Sequence, residues 1–522
     1  STAVCGRRKN LREKEGSVRF GIRADQPSAA EAFRVIAGFA CNQGFAFSLF
    51  YLGTNQAFGG GPFAFERADL FGTLLSMVAA FALLRAASPR ARDALLARPL
   101  LWCYAGLLVV GSLVPALAEA GQPGIIVESV LVGAPAGLML AAWGRALGRH
   151  PMGASVRRVF TASAFAALAC LAAAAVPGAV ALFALKLLPL GSALALRGLL
   201  ANDASEHQIG SSVSSEARPS GAPLSFGDLL ATKEQREEAA RLSKKIVAGT
   251  ALFGLAAGFM GTFASEPGMA SMPAFPATLL LLALFCAAAM QLFSSGGFEV
   301  ADRLDGRAAE GPLDSVYRLS VLVMMAGFLF VPVLGAFGVP GESIVLAGYL
   351  GLSCVLVSLF LVMSRITGQD AAAVFSLGFA ALYAGEMAGI ALGNGIELLE
   401  PAGQAPYAVA AFAGLAVLFA YLFLFTERDF RALSVIAREA DRFGDACRLI
   451  AGEYGLSKRE AEILPFALKG RTGERIAAEF FISKSTVDTH LLRIYAKTGT
   501  HGRQELIDLG ERTAGMRSRP RC

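Results

Sequence analysis

The sequence predicts an all-α chain: a transmembrane bundle of twelve helices in a six-plus-six layout, followed by a C-terminal domain of four short helices. Three observations carry this. Of the 522 residues, 55% are hydrophobic and 17% charged, against roughly 25% charged in soluble globular proteins. The apolar residues fall in uninterrupted runs of about 18 to 23, the length that spans a bilayer core as a helix, without the alternation of strands. After Phe425 the composition changes: Glu453 to Cys522 holds thirteen Lys and Arg against nine Asp and Glu.

The spans are expected at 32–52, 68–87, 100–117, 125–147, 159–175, 178–200, 246–264, 277–295, 319–337, 342–364, 371–392 and 407–425. Charge sets their orientation. With the N-terminus in the cytoplasm, the four short even loops and their flanks hold twelve arginines, from Arg85 to Arg365, and the odd loops hold only Arg67. Short cytoplasmic loops are enriched in Lys and Arg. Both termini are therefore expected in the cytoplasm and the spans in the inner, cytoplasmic membrane.

Residues 1–31 are basic and polar, with Arg7, Arg8, Lys9, Arg12 and Lys14. No short apolar run with a cleavage site follows, so a cytoplasmic tail is expected rather than a signal peptide. Spans one to six (32–200) and seven to twelve (246–425) flank a polar loop, 201–245. Ser211–Pro223 in it is rich in Ser, Pro, Gly and Ala. Ser225–Lys245 reads as an amphipathic surface helix with the pairs Lys233–Glu237 and Glu237–Arg241.

This layout resembles the major facilitator superfamily of transporters over residues 32–425, by topology. The charged signature of that family between spans two and three is missing; Arg85-Ala-Ala-Ser-Pro-Arg-Ala-Arg92 stands there. The resemblance implies the helical scaffold and not coupled transport.

In the C-terminal domain, 453–512, Ser457 caps a first helix, with Glu460 three residues on as a capping box. Ile463, Leu464 and Ala467 form its inner face and Gly470 ends it. A second helix spans about Thr472–Phe480. Ser483 caps a third that Gly499 closes, and a fourth covers about Arg503–Glu511. Long helix, short helix, turn and long helix make a helix-turn-helix. The run Leu456 to Leu464, with Gly470-Arg471-Thr472, Ile476-Ala477, Ile482-Ser483, Thr486-Val487, His490, Ile494-Tyr495, Lys497-Thr498-Gly499 and Arg503 to Leu506, resembles the LuxR family of DNA-binding domains. That resemblance implies that the third helix enters the major groove of double-stranded DNA. It places Lys484, Ser485, Asp488, Thr489 and Leu492 on the exposed N-terminal face. Thr486, His490, Arg493 and Lys497 would hold the helix on phosphates or within the domain. Asp488 and Arg475 depart from the family, which usually has a lysine and a glutamate there. The tail 513–522 carries Arg517, Arg519 and Arg521, for weak nonspecific affinity or none.

In the linker, 426–452, Leu433, Ile436, Ala440, Phe443, Cys447 and Ile450 recur as a heptad seam. It fits a homodimer contact, through this helix or the DNA-binding domain, and equally a helix packed on the membrane face or on the domain below. No receiver or kinase pattern is present, so sensing falls to the membrane part. Polar residues within the spans are the candidate groups for an unknown small-molecule ligand: Glu386 above all, then Asn42, Gln43, Gln291, Glu128 and Lys186. Glu128 also fits the outer interface, Lys186 snorkelling, and the amides helix packing. The cysteines stand singly and the four histidines lie outside the spans. No disulfide, metal, cofactor or enzymatic centre is expected. Together these features point to a one-component transcription regulator. The rivals are a transporter with a regulatory domain and a membrane-anchored regulator signalled by a partner protein.

Overall fold

The computed structural model describes residues 29–51, 56–58, 64–113, 121–150, 152–173, 176, 178–209, 233–263, 275–295, 312–334, 341–367, 369–399, 414, 416, 443–444, 446–480 and 482–516. These are almost entirely helical. The membrane part comprises α1 (Ala29–Tyr51), α2 (Ala68–Ala86), α3 (Pro89–Leu95), α4 (Arg98–Leu113), α5 (Gln122–Gly148), α6 (Met152–Ala173), α7 (Gly178–Lys186) and α8 (Leu188–Ile209). It continues with α9 (Lys233–Phe263), α10 (Phe275–Ser295), α11 (Pro312–Leu334), α12 (Gly341–Thr367) and α13 (Ala371–Leu399).

Among the described residues seven helices, α2, α5, α6, α9, α10, α12 and α13, are long and apolar enough to cross a membrane. The pair α3 and α4, bent by 52° at the break between them, makes an eighth if the two form one span. The chain is a multi-pass membrane protein. Leu75, Leu83, Val130, Leu194, Leu284 and Leu329 are exposed on the outside of the bundle, where lipid tails replace water as the surrounding medium. The expected span at 407–425 lies outside the described residues except for Gly414 and Ala416. The tail 1–28, most of the loop (210–232), the linker up to residue 442 and the arginines of 517–522 also lie outside them.

Several boundaries move, each for a local reason. The third run is preceded by a separate helix because Ser88 caps α3, its Oγ accepting from the Ala91 N–H at 3.3 Å, with Pro89 at the first helical position. The sixth run is two helices, α7 and α8, that meet at Leu187. The amphipathic segment expected at 225–245 does not stand apart. From Lys233 it continues into span seven as one helix of 31 residues, because nothing between Lys245 and Ile246 interrupts the helical repeat.

One apolar core runs through both halves of the membrane part. Helices of the two halves meet where α2 packs on α13 and α6 on α10. The closest pairing is α9 with α13. Gly254 and Gly258 on α9 face Gly385 and Gly389 on α13. A Cβ at Gly258 would overlap the Glu386 carbonyl, and one at Gly385 would overlap the Ala251 carbonyl. Small residues allow such close backbone approach between membrane helices.

At the expected cytoplasmic end, ion pairs join three segments. Arg145 at the end of α5 binds Asp370, which precedes α13, through Nε at 3.3 Å and also through Nη2, and binds Asp93 of α3 at 2.9 Å. Arg92 reaches the same Asp370 at 3.4 Å. Burial pushes the Asp370 carboxyl up, but the Arg145 hydrogen bond and charge outweigh it and hold the group below its ordinary value.

A second, separate apolar core belongs to the C-terminal helices α14 (Lys458–Leu468), α15 (Gly473–Phe480), α16 (Lys484–Thr498) and α17 (Arg503–Met516). It also contains Cys447 and Ile450, on a helical stretch at 446–453. Phe443 packs against it, and the Lys469 ammonium lies 4.7 Å from the Phe443 ring centre. The described part of the linker seam, Phe443, Cys447 and Ile450, thus packs on the domain that follows it. Leu433, Ile436 and Ala440 lie outside the described residues.

Candidate functional site

The C-terminal domain is held by caps that the sequence makes explicit. Ser457 Oγ accepts from the Glu460 N–H at 3.4 Å, and the Ser457 N–H donates to Glu460 Oε2 at 2.7 Å. Ser483 Oγ accepts from the Thr486 N–H at 3.2 Å and starts α16. Gly499, with φ 67°, ends it. That left-handed conformation is what a C-terminal glycine supplies. Between the caps Val487, Leu491, Ile494 and Thr498 repeat at helical spacing and are buried. Ile476 and Ala477 of α15 and Ile463 and Leu464 of α14 meet them.

The opposite face of α16 is open. Lys484, Ser485, Thr486, Asp488, Thr489, Leu492 and Arg493 are all exposed. Lys484 Nζ lies 2.9 Å from Glu474 Oε1 on α15. The hydrogen bond and charge of Glu474 raise the lysine above its ordinary value, and Lys484 depresses Glu474 in return.

Two of the expected contact residues have tasks inside the domain. Lys497 Nζ donates to the buried Glu460 at 2.7 Å and to the Gly455 carbonyl at 3.0 Å. Burial pushes the Glu460 carboxyl up, but hydrogen bonds from Lys497 and Ser457 more than offset this and keep it low. His490 is half-buried, and its Nδ1 is enclosed without a hydrogen bond. Burial first, then Arg493 and Arg459, lower its pKa.

The intramembrane groups are distributed over several places. Glu386 on α13 is 4% exposed and accepts a 2.8 Å hydrogen bond from the Tyr349 hydroxyl on α12. The charge of Arg67 also acts on it. Tyr349, Tyr383 and Gln43 line one small cavity of about 40 Å³. Gln43 is thereby brought to the partner of Glu386. Glu128 and Lys186 form a different pair, each within reach of the other's charge. Asn42 is half-buried, and Gln291 is on an exposed face of α10.

Sequence reasoning missed Tyr349 and Asn394. Asn394 joins α13 to the start of α2: its Oδ1 accepts from the Glu66 N–H at 2.6 Å and its Nδ2 donates to the Glu66 carbonyl at 3.2 Å. The available signal was an amide between Gly393 and Gly395 in an apolar helix. Tyr349 gave none, since a tyrosine in an apolar run reads as packing.

Comparison with known proteins bears first on the C-terminal domain. Residues 455–509 match the family described as bacterial regulatory proteins, luxR family. The oxygen regulatory protein NreC of Staphylococcus aureus strains JH9 and NCTC 8325 / PS 47 is 43% identical over 53 residues, 10% of this chain and 24% of that protein. The chain spans about a quarter of the length of these curated relatives. Two transporter structures are similar over the membrane part. The human organic anion transporter MFSD10 (TETRAN) has 13% identity and a TM-score of 0.47, covering 77% of this chain and 100% of that one. The major facilitator superfamily transporter FucP in its outward conformation has 14% identity and a TM-score of 0.39, covering 79% and 98%. Residues 455–509 are thus a LuxR-type helix-turn-helix domain, carried at the C-terminal end of a multi-pass membrane protein.

Proposed function

We propose that this protein is a membrane-embedded one-component transcription regulator, which senses a small molecule or proton through its helical bundle and binds double-stranded DNA through α16. The observation that carries the reading is the open polar face of a LuxR-type recognition helix in the same chain as at least seven apolar helices. A DNA-binding domain tied to a membrane bundle can be switched by an event that the bundle feels. The proposed topology is twelve spans in the inner membrane with both ends in the cytoplasm, where DNA is.

The proposed switch is Glu386. A carboxylate enclosed at 4% exposure needs a partner, a proton or water, and Tyr349 supplies one hydrogen bond. The adjoining cavity of about 40 Å³ holds a few waters. It is far below the roughly 300 Å³ of an ordinary ligand site. In this conformation the site suits proton exchange, and a larger ligand requires helix separation. Such a ligand shifts the equilibrium only by its preference for the opened state.

The test is the dose-response of a target promoter in cells carrying Glu386→Gln, with protein level and unliganded DNA binding measured alongside. The reading expects a shifted response with both controls unchanged. An identical response at normal expression removes Glu386 from the mechanism. A purified full-length protein that binds no duplex DNA removes the regulator itself.

A further inference from the structure

Leu492 is 67% exposed on α16. Among the described residues from Phe443 onward it is the only large apolar side chain so exposed. Its neighbours on the open face, Ser485, Asp488 and Thr489, are polar. The domain has its own closed core, in which Leu491 and Ile494 point the other way. Leu492 lies outside that core, on the open face, where it is available to an apolar partner. The major groove offers one such group, the thymine 5-methyl.

Asp488 lies one turn before Leu492 on the same face. Its carboxylate rests beside Gly473 at the start of α15 and stays exposed. An acid on a DNA-facing helix is repelled by phosphates. That repulsion is offset where the carboxylate accepts a hydrogen bond from a base amino group, for which cytosine N4 is the matching donor. Lys484, one turn earlier again, is held by Glu474 and lies at the rim of the face. Four residues of helix rise about 6 Å, close to two base-pair steps of about 3.4 Å.

Resting on the proposal that α16 enters the major groove, we infer that Asp488 reads a cytosine through its N4 amino group and Leu492 reads a thymine through its 5-methyl group, about two base-pair steps apart. The ligand class is a duplex half-site with this spacing.

The experiment uses the full chain in detergent micelles. Duplexes from a random pool are selected on the immobilised protein, and the best site is then titrated with deoxyuridine in place of each thymine. The expected half-site pairs a cytosine with a thymine two steps away. Loss of that one methyl weakens binding about fourfold, the scale of one buried methyl group. Leu492→Ala binds the thymine and uracil duplexes alike. Asp488→Asn, which presents the amide that pairs with adenine, changes the selected base from cytosine to adenine by roughly tenfold. A selected site without this pair, or equal affinity of the wild type for thymine and uracil duplexes, overturns the inference and leaves DNA binding intact. So does a Leu492→Ala change confined to oligomeric state. Failure to bind any duplex overturns the proposed function and this inference together.

Discussion

Replacing Glu460 with alanine is a direct measure of what holds the recognition helix in place. The carboxylate is 2% exposed and accepts from two groups at once, the Ser457 N–H at 2.7 Å and Lys497 Nζ at 2.7 Å. One contact closes the cap of α14 and the other ties the end of α16 to it. Loss of a cap costs about 1 kcal/mol. A hydrogen bond to a charged group contributes about 1.5–3 kcal/mol, taken at the low end because the Lys497 side chain is 38% exposed and partly screened. The expected loss is about 2–3 kcal/mol, which lowers the midpoint of a domain this size by about 10 °C or more. The assay is thermal unfolding of a soluble fragment, residues 443–516, followed by circular dichroism. Its separate core predicts that it folds without the membrane part. The pH dependence supplies an independent check. The folded carboxyl titrates below its ordinary value of 4.5, so its stabilisation is complete above about pH 4.5 and is lost as the pH falls through the folded value. Glu460→Gln should therefore be less stable than wild type at pH 7, with the gap closing in acid. A Glu460→Ala midpoint within 2 °C of wild type, or a Glu460→Gln gap that does not narrow as the pH falls, refutes the reasoning.

Three other outcomes are expected. Gly258→Leu forces α9 away from the Glu386 carbonyl and should lower the unfolding temperature of the solubilised protein by about 1–4 °C, an overpacking cost of about 1–3 kcal/mol divided by the unfolding entropy of a large bundle. Gly395→Ala, where a Cβ meets nothing within 4 Å, is the control and should behave as wild type. Asp370→Ala frees Arg92 and Arg145, and should speed amide exchange over residues 89–97 several-fold by mass spectrometry; unchanged exchange would make the ion pairs incidental. A cysteine placed at Ser215 should resist an impermeant thiol reagent added outside the cell, and efficient labelling would contradict the cytoplasmic loop.

The sequence was most informative where structure is set locally. Ser457, Ser483 and Gly499 cap as their types and spacing predict, because a cap concerns only the next three or four residues. The inward faces of α14 and α15 followed from the spacing of Ile463, Leu464, Ala467, Ile476 and Ala477. What stayed hidden depends on chain distance. The bond from Tyr349 to Glu386 crosses two helices, and that from Asn394 to Glu66 bridges 328 residues. The fate of the heptad seam was open for the same reason. Phe443, Cys447 and Ile450 suit a partner helix and the domain's own core equally well, and only the packing shows the second. The break at Leu187 follows from Pro189 in the first turn of α8, which lacks the N–H that would continue the helix and crowds the carbonyl four residues back.

The helical stretch that brings Cys447 and Ile450 into the DNA-binding core has a mechanical consequence. Among the described residues from 446 onward, that core ties the stretch to all four helices, so a twist of one part against the rest would open it. A rotation imposed at residues 446–453 is therefore expected to reach α16 as a rotation of the whole domain, like a key turned by its shank. One residue of helix is about 100° of phase. A change of one position in the phase of this stretch is therefore expected to turn the exposed face of α16 by about that angle, without altering any contact inside the domain.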